Sequence, residues 1–92
     1  MIKTFRHKGL EIFFKKGRKE GIQPRHAAKL ARQSIRLNVA KDASYMKMPG
    51  WDLDPLAAKL TGHYSVSVNS NWRMTFKFAG GDAVLVDYQD YH

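Results

Sequence analysis

Tyr64-Ser65-Val66-Ser67-Val68-Asn69-Ser70-Asn71-Trp72-Arg73-Met74-Thr75-Phe76-Lys77-Phe78 is the stretch that decides the fold. Tyr64, Val66 and Val68 alternate with Ser65, Ser67 and Asn69, which is the period of a strand with one buried face. Asn69-Ser70-Asn71 supplies a tight turn. Trp72, Met74, Phe76 and Phe78 then alternate with Arg73, Thr75 and Lys77, a second strand. Ala79-Gly80-Gly81-Asp82 is a hairpin turn with two glycines able to take positive φ. Ala83 to Tyr88 is nearly continuously apolar and is expected to be a third strand covered on both sides. Three strands joined by short turns form an antiparallel meander.

Upstream of the meander the period changes. Ile2 to Phe5 reads as a short strand, with Ile2 and Thr4 on one face and Lys3 and Phe5 on the other. In residues 8–16, Leu10, Phe13 and Phe14 fall at i, i+3, i+4 and make one helical stripe, and Gly17 sits where a C-cap glycine belongs. Pro24 suits the first turn of a second helix reaching Val39 or Ala40. At about 100° per residue, Ala27, Leu30, Ala31, Ser34 and Ile35 cluster on one side of it. Arg25, Lys29, Arg32 and Arg36 cluster within an arc of about 60° on the other. Residues 41–62 give no clear period. Met48-Pro49-Gly50 breaks any helix, and Pro55 reduces Trp51 to Leu56 to an edge strand or loop. The expected architecture is one α+β domain spanning residues 1–92. It is a two-layer sandwich, with an N-terminal strand and two helices packed on an antiparallel β-sheet.

Composition narrows the function. Ninety-two residues with 43% apolar content support one modest core, and the absence of cysteine excludes disulfides and thiolate metal sites. No run of about 18 apolar residues is present, so no membrane span is expected, and the N-terminus lacks the apolar stretch of a signal peptide. A cytoplasmic protein is the simplest expectation. The net charge is +8, and it is uneven: residues 1–47 carry 13 of the 16 Lys/Arg but 3 of the 8 acidic residues. A basic half on a small chain points to a polyanionic partner, above all nucleic acid. The four-cation stripe on the second helix is a candidate phosphate-facing ridge, the alternative being an ordinary solvated face. Like charges four apart weaken an isolated helix, which argues that they are kept for a partner.

The chain ends in Tyr88-Gln89-Asp90-Tyr91-His92, a run of proton-transferring groups leaving a strand. Arg73 lies on the neighbouring strand and points away from the Trp72/Met74 side. A cation beside an acid, a phenol and an imidazole is a set able to cut RNA without metal. The 2′-oxygen attacks phosphorus, a base takes its proton, an acid protonates the leaving 5′-oxygen, and the guanidinium neutralises phosphoryl charge. No Glu-x-x-His or His-x-x-x-His spacing joins His7, His26 or His63, so no metal or other cofactor is expected.

Met48-Pro49-Gly50, Pro55-Leu56, Gly62 to Asn69, Asn71-Trp72-Arg73-Met74-Thr75-Phe76 and terminal Asp90-Tyr91-His92 resemble the HigB toxins of the RelE superfamily, and Met1 to Phe5 is also similar. The resemblance implies a RelE-like microbial RNase fold and the toxin of a bacterial type II toxin–antitoxin system. It implies a metal-independent endoribonuclease that cleaves mRNA codons in the A site of the 70S ribosome. It further implies restraint by a HigA-type helix-turn-helix antitoxin, with operator DNA bound only through the toxin–antitoxin complex. Carried over by position, Arg73 contacts phosphate, and Asp90, Tyr91 and His92 form the catalytic end. Such toxins often carry a basic or histidine residue around the Pro-Leu segment. Here that segment is Asp54-Pro55-Leu56-Ala57-Ala58, and Lys59 is the first cation, the expected substitute. Asp54 is an alternative partner for Arg73. A second reading of the same fold is a non-catalytic module that acts by occupancy, as gyrase-poisoning relatives do.

Overall fold

The computed structural model describes residues 1–91. Its elements are α1 (Lys8–Lys16), α2 (Ala27–Val39), β1 (Asp54–Pro55), β2 (His63–Asn69), β3 (Trp72–Ala79) and β4 (Asp82–Asp90). The strands form one antiparallel sheet in the order β1-β2-β3-β4, so sequence neighbours are also spatial neighbours. This is the expected α+β arrangement, with both helices on one face.

Helix α1 starts on His7, whose ring Nδ1 accepts the Leu10 N–H at 2.9 Å. It stops at Gly17, which takes φ 73° and donates its N–H to the Phe13 carbonyl. Helix α2 is preceded by a 3-10 turn, Pro24–His26, which carries the expected proline. Its inner face differs from the expected one. Ala27, Leu30, Gln33, Ser34 and Leu37 are buried, whereas Ile35 is 64% exposed. The polar Gln33 takes the inner position because its amide donates to the Ser67 carbonyl at 2.8 Å, which ties α2 to β2.

Between helices and sheet lies a core built on Leu10, Leu30, Leu37, Met46, Val66, Met74, Phe76 and Val86. Two irregularities tune the meander. Val68 is an extra residue between the Ser67–Arg73 and Asn69–Trp72 pairs. In β4, Leu85 and Val86 together oppose Phe76, and Leu85 takes φ 55°. The N–H of Leu85 is satisfied by the Thr4 hydroxyl at 2.8 Å. This bulge breaks the apolar run, so β4 is not covered on both faces: Leu85 is 38% exposed. The expected N-terminal strand is reduced to two parallel bridges on β4, Ile2–Ala83 and Phe5–Val86. Ile2 and Phe5 both pack against the core, so strict alternation fails there as well. The Asp54–Pro55 edge strand pairs with Ser65 and Tyr64, as its proline allows.

One close backbone approach fixes α1 against the following loop. A Cβ built on Gly9 would lie 2.4 Å from the Gly21 carbonyl oxygen. Backbone on both sides leaves no flexible side chain to move aside. Gly9→Ala is therefore expected to lower unfolding free energy by about 1–3 kcal/mol in urea titration.

Candidate active site

The polar face of the sheet is assembled from the residues that alternate away from the core. Arg73 lies on β3 between Trp72 and Met74. Its Nε donates to the Ser65 hydroxyl at 2.8 Å and its Nη2 to the Asp52 carbonyl at 2.7 Å. The guanidinium thus spans β2 and reaches the segment that leads into β1. Both partners are neutral, so Arg73 is oriented while its charge stays uncompensated by them. No ion pair joins Arg73 to Asp54, although both line the same open depression with Asp52 and Leu53. Beside Arg73 on this face, the Gln89 amide donates to the Thr75 hydroxyl at 3.2 Å and to the Asp87 carboxylate at 3.0 Å.

The tail divides between the two faces. In the β3–β4 register Arg73 pairs with Gln89, and Trp72 with Asp90. Alternation sends Gln89 to the Arg73 side and Asp90 to the helix side, with Trp72 and Tyr88. The Tyr91 N–H continues the ladder by donating to the Asn71 carbonyl at 2.7 Å, which carries Tyr91 back toward the face of Arg73. So the structure brings Arg73 and the tail onto neighbouring strands, as expected, but not Arg73 and Asp90 onto one face. His92 lies outside the described residues. Lys59 stands exposed on a short 3-10 turn, Ala58–Leu60, and does not line the depression beside Arg73.

On the helix side sits a cluster that the sequence did not reveal. His26, 2% exposed, shares a short hydrogen bond between its Nδ1 and the Tyr88 hydroxyl. Asn69 Nδ2 lies 3.4 Å from the other ring nitrogen. The His26 ring also meets Trp72 edge-on at 5.5 Å, and Trp72 lies 4.6 Å from Tyr88. Burial, followed by the nearby Arg25 charge, lowers the His26 pKa below its ordinary value. Burial also raises that of Tyr88, against a backbone hydrogen bond from Gln23 and the Arg25 charge, while Asp90 adds to the rise. Both groups are held neutral, and together they tie the start of α2 to the last strand of the sheet. His26 and Tyr88 are 62 residues apart, so no local pattern pairs them. The sole signal was a histidine directly after the helix-starting Pro24-Arg25. On the opposite face, His63 is buried, and neither ring nitrogen has a hydrogen-bond partner among the described residues.

The basic stripe is also divided. Lys29 donates to the Gly50 carbonyl at 3.4 Å, and Arg36 donates to the Tyr45 carbonyl. These two cations staple the 43–50 segment to α2. Arg25 and Arg32 are exposed. Among the described residues, no group of three His, Asp or Glu side chains is placed to hold a metal ion, and no helix is long and apolar enough to cross a membrane.

Two helices on a four-stranded antiparallel sheet, with a hydrogen-bonded arginine on the face away from the helices and next to the chain's last strand, make an α+β fold consistent with RelE-like toxins. Residues 3–92 match the family of HigB-like toxins, described as the RelE-like toxin of the type II toxin–antitoxin system HigB. The chain belongs to that family. It is also 35% identical over 92 residues, covering all of both chains, to the Endoribonuclease HigB of Proteus vulgaris.

The His26–Tyr88 pair sets a pH dependence. In the unfolded chain His26 binds a proton below its ordinary pKa of about 6.5, whereas in the folded chain it resists doing so. The unfolded state then holds more protons, so stability is complete above that pH and falls as pH drops below it. Urea unfolding at pH 7.5 and pH 5.5 is expected to show a smaller acid-side loss for His26→Asn than for the parent chain.

Proposed function

We propose that this toxin is a metal-independent endoribonuclease that cuts mRNA in the ribosomal A site. The observation that carries the reading is the register of Arg73 against Gln89, which sets a fixed guanidinium beside the tail on an open polar face. Full-length similarity to a relative named as an endoribonuclease supports it. In this reading the RNA 2′-hydroxyl loses its proton to a base and attacks the adjacent phosphorus. The P–O5′ bond breaks, and His92 protonates the leaving oxygen. The ends are a 2′,3′-cyclic phosphate and a 5′-hydroxyl. Arg73 holds two phosphoryl oxygens, because its fork matches them and its two fixed contacts leave further N–H donors. Tyr91 donates a hydrogen bond or stacks on a base. Asp90, set on the helix side, orients the terminal imidazole rather than touching phosphate. Lys59 is assigned a supporting phosphate contact. The chemistry needs no protein nucleophile, which suits a site made of an arginine and a short chain end.

Arg25 and Lys29, nearest the His26 end of the basic stripe, provide the RNA backbone contacts that bring the enzyme to the ribosome, as phosphate neutralisation requires. The expected partners are the 70S ribosome with its mRNA in the cytoplasm, and a HigA-type antitoxin.

Arg73→Ala is expected to lower the rate of mRNA cutting by about 10²–10³-fold while leaving ribosome binding unchanged. His92→Gln is expected to abolish growth inhibition. Primer extension after induction should show new, codon-phased 5′ ends for the parent chain and none for His92→Gln. Breaks that persist in His92→Gln would remove the tail from the mechanism, and a parent chain giving no new ends would favour action by occupancy. Arg25→Glu combined with Lys29→Glu should weaken co-sedimentation with ribosomes, most at low salt, with the difference from the parent shrinking as salt is raised.

A further inference from the structure

The outer side of α2 carries an apolar strip that neither the core nor the candidate active site uses. Ile35 and Val39, one helical turn apart, are 64% and 62% exposed. They line a depression of about 400 Å³ with Met48, Trp51, Arg32 and Arg36. Ile35 also lines a second one of about 260 Å³, walled by Phe13, Phe14 and Ala31. Ile35 therefore stands as a ridge between two apolar hollows. No acidic side chain lines either of them.

We propose that this ridge and its two hollows are the seat of the antitoxin, and that the docking segment is an acidic amphipathic polypeptide. It would place aliphatic side chains around Ile35 and Val39 and carboxylates on Arg32 and Arg36. The proposal rests on the family reading that a protein antitoxin exists. The chemistry of the surface selects the occupant. Duplex RNA presents phosphates and sugars, which satisfy arginines but gain nothing from two exposed aliphatic side chains. A second copy of this chain would bring its own Arg32 and Arg36 and a net charge of +8 against the same cations. An acidic segment satisfies both features, burying the strip and neutralising its flanks. The bidentate fork of Arg32, exposed and without a hydrogen bond among the described residues, suits a carboxylate.

The test uses the full chain, produced in a cell-free system, and the antitoxin encoded beside it, purified separately and titrated calorimetrically. Ile35→Ser with Val39→Ser changes exposed positions, so its thermal unfolding should match the parent's, and that match is checked first. The double variant is expected to bind the antitoxin about tenfold or more weakly. Arg32→Glu should weaken binding further, most at low salt. Equal antitoxin affinity for the parent and the double variant overturns the placement. So does a double variant that keeps its antitoxin affinity but no longer co-sediments with ribosomes, because the strip would then be an RNA seat. If the parent chain itself does not bind, the pairing with an antitoxin fails and the proposal with it. Codon-phased mRNA cutting by the same parent preparation reports on the endonuclease reading independently.

Discussion

The alternation of β3 is the constraint on which the rest of the molecule depends. Trp72, Met74 and Phe76 enter the core, so Arg73 and Thr75 are sent to the other face. A slip of one residue would bury a guanidinium and expose three large apolar side chains, so the register is strongly specified. Chemistry therefore gets its coordinates from packing: the hydrophobic neighbours of Arg73 place it, and Ser65 and the Asp52 carbonyl then aim it. The same alternation on β4 separates Gln89 from Asp90 and so gives consecutive tail residues different surroundings.

Much of this was legible because it is local and periodic. The limits of α1, its Gly17 stop, the proline-led start of α2, the three-strand meander and the demotion of the Pro55 segment all follow from patterns within about ten residues. The failures have physical causes as well. Ile35 was expected inside because apolarity alone does not distinguish a core face from an outward one, whereas Gln33 goes inside through a hydrogen bond that hydropathy does not register. The bulge at Leu85 interrupts a run that looked uniformly buried.

The candidate site was read in its parts but not in its arrangement. Arg73 and the tail were visible as residue types on adjacent strands. That Asp90 faces Trp72 rather than Arg73 depends on the exact pairing of β3 with β4, and sequence fixes pairing less tightly than strand identity. The His26–Tyr88 bond joins two distant segments and shows only when the sheet is closed against α2. Lys59, singled out for its position after Pro55-Leu56, sits on an exposed turn whose direction the Ala57-Ala58 backbone sets.

The short N-terminal segment on β4 has a meaning for assembly. Backbone bonds from Lys3, Arg6 and His7, with those returned to Met1 and Thr4, occupy the outer rim of that strand. The Met1 ammonium closes the corner on Asp82 at 3.3 Å. On the opposite rim, β1 offers two residues, one of them a proline. Over residues 83–86 the β4 rim offers no template for another chain's strand, which helps guard a small, highly charged protein against edge-to-edge polymerisation. Along that stretch a partner must be recognised by side chains, since the main-chain ladder is already taken.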